Sequence, residues 1–177
     1  YRESYDMYAV HGILFNHEGI KRGEEFVTRK ITKNVARIKK QIDANQTIVP
    51  MELGNVDAKR DWSDSEDFVR GVWLMLNQDK PKDYILSSNE THSIREFVER
   101  SFTTAEIYGE WKGTGLDEQY VQCKTGDVLL KINEKFFRPA EVDVLLGDSN
   151  PIRHELGWKP LVSFNDLVVK MTENDLS

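Results

Sequence analysis

The chain has 177 residues and a formal net charge of −6, with 39% hydrophobic and 31% charged residues, an ordinary balance for a soluble globular protein. The acidic balance argues against a nucleic-acid surface, which needs clustered cations to displace counterions. No apolar run approaches the roughly 20 residues of a membrane span, and the first residues lack signal-peptide character, so we expect a cytoplasmic protein that binds no membrane. The one cysteine, Cys123, allows no internal disulfide and no zinc site of the usual spacing, and we expect no metal.

The first candidate site follows an apolar run at residues 8–14, which we predict to be a short buried strand. Asn16-His17-Glu18 comes next, and the basic segment 21–23 lies a few residues further on. Ligands of open α/β sheets bind beyond the carboxyl ends of strands, so we predict that a site opens at Asn16. Taken alone, His17 is also compatible with a solvated loop histidine.

Strand and helix patterns then alternate, which predicts an α/β fold. The predicted elements are a helix at 26–42, a strand at 47–53 near a sheet edge because Pro50 cannot donate, a helix starting at 65–67, a strand at 84–87 and a helix capped by Ser93 and Glu96. Gly-punctuated runs at 107–111 and 128–132 predict a small lobe with its own strands, and Ser163 caps a last helix.

Two arginine positions are suited to phosphate. Arg60 lies in the loop after the strand that ends at Leu53, and its planar fork can donate two hydrogen bonds to an oxyanion. Arg138 and Glu141 flank a turn that Pro139 opens, so the arginine can hold a phosphate while the carboxylate accepts hydrogen bonds from ribose hydroxyls. The alternative for each arginine is an ordinary surface ion pair.

Several motifs occur in a fixed order along the chain, and together they resemble the GDP-mannose 4,6-dehydratase family of extended short-chain dehydrogenases/reductases. They are Asn16-His17-Glu18, Phe26-Val27-Thr28-Arg29-Lys30-Ile31, Leu53-Gly54-Asn55, Arg60-Asp61-Trp62, Phe137-Arg138-Pro139-Ala140-Glu141-Val142 and Leu156-Gly157-Trp158-Lys159-Pro160. The resemblance covers essentially the whole chain. One departure is that Gly19-Ile20-Lys21 stands where the family usually has Ser-Pro before the basic pair.

The resemblance implies a role for each matching residue. His17 and Arg22 would help to hold NADP, and Asn16 would meet the diphosphate or hexose of the substrate. The remaining substrate-binding residues would be Val27 and Lys30 in the pocket, Leu53, Gly54 and Asn55 beside the guanine, Arg60 and Arg138 on the diphosphate, and Glu141 on the ribose. From the residues alone, Asn55 is also a plausible turn former, and Lys30 also fits the solvated face of its helix.

The resemblance also implies a fold. Residues 1–177 would form one unit, the C-terminal part of a doubly wound, Rossmann-type parallel sheet with a small mixed α/β substrate-binding lobe. The dinucleotide-binding half would lie outside this chain, since no Gly-x-x-Gly-x-x-Gly loop is found in it. We place none of the family's catalytic residues here, so we expect the isolated chain to bind without catalysing.

The implied activity is conversion of GDP-mannose to GDP-4-keto-6-deoxy-mannose with tightly bound NADP, in a homo-oligomer that is a dimer or a tetramer. A related GDP-sugar epimerase/reductase is one alternative. A noncatalytic nucleotide-sugar-binding remnant is another.

We expect Arg138→Ala to weaken GDP binding by about 1.5–3 kcal/mol, because charge-assisted hydrogen bonds to phosphate would be lost. Titration calorimetry with GDP measures the change, and Arg37→Ala, on the polar face of the helix at 26–42, is the control. An unchanged affinity for GDP would remove Arg138 from the site.

Overall fold

The computed structural model describes every residue except Arg138, Pro139 and Glu141. Its described helices are α1 (Arg2–Tyr5), α2 (Val27–Asp43), α3 (Ser65–Leu76), α4 (Ile94–Thr104), α5 (Asn150–Leu156) and α6 (Phe164–Leu176). Its described strands are β1 (Gly12–Leu14), β2 (Asn16–Glu18), β3 (Met51–Leu53), β4 (Lys59–Arg60), β5 (Trp62–Asp64), β6 (Tyr84–Leu86), β7 (His92–Ser93), β8 (Gly109–Lys112), β9 (Gln119–Gln122), β10 (Val128–Ile132) and β11 (Val144–Leu145). Across these residues, no helix is both long and apolar enough to cross a membrane.

The chain folds into two compact units, each built from separate stretches of sequence. Unit 1 comprises Tyr1–Gly19, Arg60–His92 and Val144–Leu167. Unit 2 comprises Ile20–Lys59, Ser93–Asp143 and Val168–Ser177. The mixed α/β character expected from the sequence is confirmed in both.

Unit 1 contains parallel strand pairs. β1 pairs with β6, with Gly12 opposite Tyr84, and β2 pairs with β5, with Asn16 opposite Trp62. Phe15 lies between β1 and β2, and its amide donates to the carbonyl of Leu86 at 3.1 Å. The chain therefore changes its pairing partner at Phe15 while it stays extended.

The core of unit 1 lies where α3 and α5 pack on β6. Its buried members are Phe68, Met75, Tyr84, Leu86, Ile152 and Trp158. The indole of Trp158 meets the ring of Phe68 edge-on, with the ring centroids 6.0 Å apart, and its Nε1 donates to the carbonyl of Asp67 at 2.8 Å. This buried indole therefore has its polar atom satisfied, as a buried tryptophan requires.

Unit 2 combines α2, α4 and the larger part of α6 with a mixed sheet in the order β3-β10-β9-β8. β3 runs parallel to β10, whereas β9 runs antiparallel to both of its neighbours. Helices α2 and α4 pack together through apolar faces. The buried residues of those faces are Ile31, Val35, Ile38, Phe97, Val98 and Phe102.

Several predicted elements are confirmed. α2 and α3 lie where the periodicity puts them, and β3 is an edge strand as Pro50 indicated. Ser93 forms the predicted capping box with Glu96, whose amide donates to the serine Oγ at 3.1 Å. The helix predicted to start at 65–67 does start at Ser65, and Asp64 is its N-cap.

The first strand was predicted wrongly. Of residues 8–14, only Gly12–Leu14 form a strand, β1, and the segment Asn16–Glu18 is itself a strand. That strand was also predicted to be buried, whereas all three residues of β1 are exposed, and pairing with β5 continues the extended chain through Asn16. Thr47–Pro50 also falls outside β3, since Pro50 has no amide to donate and the amide of Val49 bonds to Gln41 Oε1 at 3.2 Å. β9 and α5 were missed altogether, because four- and seven-residue elements give little periodicity.

We expect Gly71→Ala to lower the free energy of unfolding. A Cβ on Gly71 would overlap the side chain of Leu86 and lie 2.9 Å from Nε1 of Trp158, and overpacking of this kind costs about 1–3 kcal/mol. The better helix propensity of alanine offsets about 1 kcal/mol of that loss. Urea denaturation measures the net change. Val69→Ala on the exposed face of α3 is the control, and equal stability of both variants would contradict the close packing at Gly71.

Candidate functional site

Phe136 joins two of the predicted substrate-binding segments in unit 2. The ammonium nitrogen of Lys30 lies 3.7 Å from the centroid of the Phe136 ring, a cation–π contact. Gly54 lies directly against the backbone of Phe136, so that a Cβ on Gly54 would overlap the Phe136 carbonyl. Lys30 in the first turns of α2 and Gly54 after β3 are therefore brought together around one aromatic residue.

Lys30 is half-buried, and its surroundings shift the pKa of its ammonium group. Burial lowers its pKa below the usual value for lysine, and the carboxylate of Glu52 opposes this shift. Glu52 also accepts a hydrogen bond from Nδ2 of Asn133 at 2.8 Å. A lysine in this setting is partly desolvated, which strengthens its electrostatic attraction for an anion.

The segment Leu53–Asn55 leaves β3 towards Phe136. Leu53 is buried at the end of the strand, and its carbonyl accepts from the amide of Asn133 at 2.8 Å. Asn55 is partly buried, and its Oδ1 accepts from the amide of Asp57 at 3.0 Å, which is the Asx-turn geometry of its alternative role. Val27, the first residue of α2, is partly buried one turn before Lys30.

Arg22 lies in the same unit, in the segment that leads into α2. Its guanidinium carbon lies 3.5 Å from the centroid of the Phe26 ring, and stacking of this kind restricts the side chain. The amide of Phe26 donates to the carbonyl of Gly23 at 3.2 Å, which closes a turn directly after Arg22.

His17 is held on β2 in unit 1. Its ring stacks on Phe68 of α3, with centroids 5.3 Å apart and the planes 23° from parallel. Nδ1 lies 2.9 Å from the carbonyl of Phe15, and since a carbonyl only accepts, Nδ1 carries the proton. The ring is therefore oriented at one nitrogen, and Nε2 is the atom that remains for a ligand. Asn16, the preceding residue, is also partly buried.

Arg60 ends β4 and is followed by the fully buried carboxylate of Asp61. Asp61 accepts hydrogen bonds from the amide and hydroxyl of Ser88, both at 2.7 Å, from the amide of Asn89 at 3.2 Å and from the amide of Gly147 at 3.3 Å. The sequence offered Asp61 and Asp67 as partners of Arg60. Asp61 is engaged by the Ser88 hydroxyl and by these backbone amides, and Asp67 accepts from the amides of residues 161 and 162 and pairs with Arg70 at 3.0 Å.

The predicted site residues thus fall into two groups. Unit 2 holds Arg22, Val27, Lys30, Leu53, Gly54 and Asn55, and unit 1 holds Asn16, His17 and Arg60. Arg138 and Glu141 lie outside the described residues. Sequence reasoning did not assign Phe136 or Asp61. The only signal for Phe136 was an aromatic residue two positions before Arg138.

Sequence reasoning also passed over two Tyr-x-x-x-Lys spacings, Tyr108–Lys112 and Tyr120–Lys124. On a helix, residues four apart lie side by side, but neither pair is helical. Tyr108 precedes β8 and Lys112 ends it, where four strand positions span about 13 Å, and Tyr120 lies on β9 whereas Lys124 lies in the turn after it. Burial, with the carboxylate of Glu99, raises the pKa of Tyr120 to about 12, the opposite of what a base requires. Neither pair has the geometry of a catalytic Tyr–Lys pair.

No group of three or more histidine, cysteine, aspartate or glutamate side chains able to hold a metal ion occurs among the residues that the structure describes. The one cysteine, Cys123, is exposed.

Comparison with known proteins gives a consistent result along nearly the whole chain. A family model described as GDP-mannose 4,6 dehydratase matches residues 1–171. The GDP-mannose 4,6 dehydratase of Drosophila melanogaster is 50% identical over 177 residues, which cover 99% of this chain and 43% of that protein. The Homo sapiens GDP-mannose 4,6 dehydratase is 44% identical, over 99% of this chain and 46% of its own length. The chain spans about half the length of these curated relatives.

Solved structures show the same relation at the level of fold. RMD from Pseudomonas aeruginosa, complexed with NADPH, has a TM-score of 0.75 at 18% identity, covering 99% of this chain and 50% of that one. UDP-glucose 4-epimerase from Thermotoga maritima, with UDP-glucose, has a TM-score of 0.67 at 15% identity, covering 98% of this chain and 47% of that one. The chain thus has the fold of about half of each protein.

We expect Glu52→Gln to lower the pKa of Lys30 further. The Glu52 carboxylate favours the charged ammonium, so its removal leaves the burial effect unopposed and Lys30 loses its proton at a lower pH. NMR titration of ¹³C-methylated lysines measures the shift. Glu24→Gln is the control, since Glu24 pairs with Lys33 at 2.9 Å on the same helix. A Lys30 pKa that stays constant or rises in Glu52→Gln contradicts this electrostatic account.

Proposed function

This chain belongs to the GDP-mannose 4,6-dehydratase family, and we propose that it forms the GDP-sugar site of an enzyme that converts GDP-mannose to GDP-4-keto-6-deoxy-mannose. The observation that carries the proposal is the arrangement around Phe136, where Lys30 and the Leu53–Asn55 segment meet. An aromatic ring, a partly desolvated ammonium group and a backbone edge suit a purine nucleotide with a charged diphosphate.

Each remaining residue has a binding role in this proposal. Arg60 and Arg138 clamp the diphosphate through bidentate hydrogen bonds, and Glu141 accepts from the ribose hydroxyls. Asn16 meets the diphosphate or the hexose, because an amide both donates and accepts. Val27 supplies an apolar wall. Asp61 fixes the backbone next to Arg60, which keeps the base of that long side chain in place.

The cofactor of the proposed reaction is NADP, and the described residues fit it. His17 is oriented through Nδ1, which leaves Nε2 for a ligand, and Arg22 is a stacked cation suited to phosphate. When bound, NADP accepts a hydride from the hexose and later returns it. His17 and Arg22 bind and orient the dinucleotide, and neither needs to change its protonation state during the reaction.

The proposal assigns the catalytic groups to a polypeptide portion outside these 177 residues. The parallel pairs β1·β6 and β2·β5 would continue the doubly wound sheet of a complete enzyme, since parallel strands are normally buried within larger sheets. The complete enzyme would be a homo-oligomer, a dimer or a tetramer. The alternative epimerase or reductase activity has only fold-level support, because the matching solved structures, RMD and UDP-glucose 4-epimerase, are 18% and 15% identical.

The test is a turnover assay with GDP-mannose. We expect the complete protein to form the 4-keto-6-deoxy product, detected by NMR, and the isolated 177-residue chain to form none. Turnover by the isolated chain would contradict the proposal that the catalytic groups lie outside these 177 residues. A complete protein that binds GDP-mannose but leaves it unchanged would reject the dehydratase assignment.

The matched pair Lys30→Ala and Lys33→Ala tests the site within the complete protein. We expect Lys30→Ala to weaken GDP-mannose binding by about 1.5–3 kcal/mol, the value of a hydrogen bond to a charged group. Lys33 lies on the same helix and pairs with the exposed Glu24, so Lys33→Ala keeps its affinity for GDP-mannose. Equal affinities of the two variants would place Lys30 outside the site.

A further inference from the structure

We propose that the buried ion pair between Arg29 and Asp175 positions the segment Ile20–Arg22 and thereby sets the affinity of the enzyme for NADP. The inference rests on the proposed cofactor role of Arg22. Arg29 and Asp175 would act on the cofactor only through this segment, as positioning residues.

The pair is almost completely buried within unit 2. Nη2 of Arg29 lies 2.8 Å from Oδ1 of Asp175, with 11% of the arginine side chain and 3% of the aspartate side chain exposed. The other oxygen of Asp175, Oδ2, accepts from the hydroxyl of Thr32 at 2.6 Å. Both carboxylate oxygens are therefore engaged by residues of α2.

The same guanidinium also holds the cofactor segment. Nη1 of Arg29 donates to the backbone carbonyl of Ile20, two residues before Arg22. A guanidinium is a rigid planar fork, so the direction in which one nitrogen points determines the direction of the others. Asp175 fixes Nη2 and thereby aims Nη1 at Ile20.

The segment between Ile20 and α2 is held at both ends. Arg29 fixes its start at Ile20, and the hydrogen bond from Phe26 to Gly23 fixes its end. Arg22 lies between these points, with its guanidinium over the Phe26 ring. Movement of the Ile20 carbonyl would therefore change the backbone from which Arg22 extends.

The sequence explains why this segment needs such an anchor. No proline lies between Glu18 and Phe26, so no pyrrolidine ring restricts the backbone of this segment. Burying an ion pair brings little net stability compared with apolar packing, whereas removing one partner leaves an uncompensated charge. Conformational specificity is the function that a buried pair of this kind supplies best.

The experiment measures NADP binding to the complete protein by calorimetry, well below the melting temperature of each variant. We expect Asp175→Asn to raise the Kd for NADP about tenfold, which corresponds to about 1.4 kcal/mol, because a displaced Arg22 loses part of its charge-assisted hydrogen bonding to the cofactor. Asp175→Glu restores the charge and most of the affinity. Asp43→Asn removes an exposed pair with Lys39 on α2 and is the matched control with an unchanged Kd.

Thr32→Val is the milder variant, since it removes the hydroxyl that bonds Oδ2 of Asp175 and keeps the side-chain volume. We expect an intermediate rise in the Kd for NADP, with kcat unchanged at saturating NADP. This readout remains informative even where Asp175→Asn does not fold. A structural role alone would lower the melting temperature of these variants and leave the Kd constant.

Arg22→Ala, measured in parallel, distinguishes the cofactor role of Arg22 from the positioning role of Arg29 and Asp175. A wild-type Kd for NADP in Arg22→Ala would overturn the proposed cofactor role and, with it, the positioning role. The other outcome is that Arg22→Ala binds NADP more weakly, while Thr32→Val and every folded Asp175 variant keep the wild-type Kd for NADP. That result would overturn the positioning role only.

Discussion

The buried carboxylate of Asp61 is the constraint on which the segments before β5, after β6 and before α5 in unit 1 depend. A charge with no solvent exposure is tolerated only when its oxygens are fully hydrogen-bonded, and Asp61 meets this requirement with donors from Ser88, Asn89 and Gly147. These donors belong to the segment after β6 and the segment before α5. Gly147 is confined because a Cβ there would lie 2.5 Å from Cβ of Ser87. One side chain thus joins three stretches of sequence, and the residue before it is Arg60.

In unit 2, an aromatic ring and an ion pair hold two neighbouring cationic side chains of α2. Lys30 and Arg29 are neighbours in α2, yet Lys30 points to the ring of Phe136 and Arg29 pairs with Asp175. Adjacent helical residues lie on different faces, which lets one turn serve both the proposed substrate pocket and the internal packing. Arg29 is thus engaged inside the unit through both of its terminal nitrogens, whereas Lys30 contacts the Phe136 ring.

Local signals made part of this structure predictable. The capping box of Ser93 and Glu96 and the apolar periodicity of α2 depend on neighbouring residues, so they can be read from the chain. β2 depends instead on pairing with β5, about 45 residues away, and its first residue Asn16 carries no strand preference. The same limit applies to the site: Lys30 and Gly54 were identified, but their common contact with Phe136 arises from tertiary packing. Arg138 and Glu141 remain sequence predictions.

The two Tyr-x-x-x-Lys spacings show why a motif needs its structural context. Four residues on a helix return to the same face and bring a lysine beside a tyrosine, whereas four residues on a strand separate them. Tyr120 belongs to the core of the unit 2 sheet, and burial there raises its pKa to about 12. Among the described residues, the proposed binding groups are the cations of Lys30 and Arg60 and the imidazole of His17, which is oriented through Nδ1. In the proposed division of roles, binding groups must be held at fixed positions, and the buried contacts of Asp61 and of the Arg29–Asp175 pair restrict the backbone next to Arg60 and before Arg22.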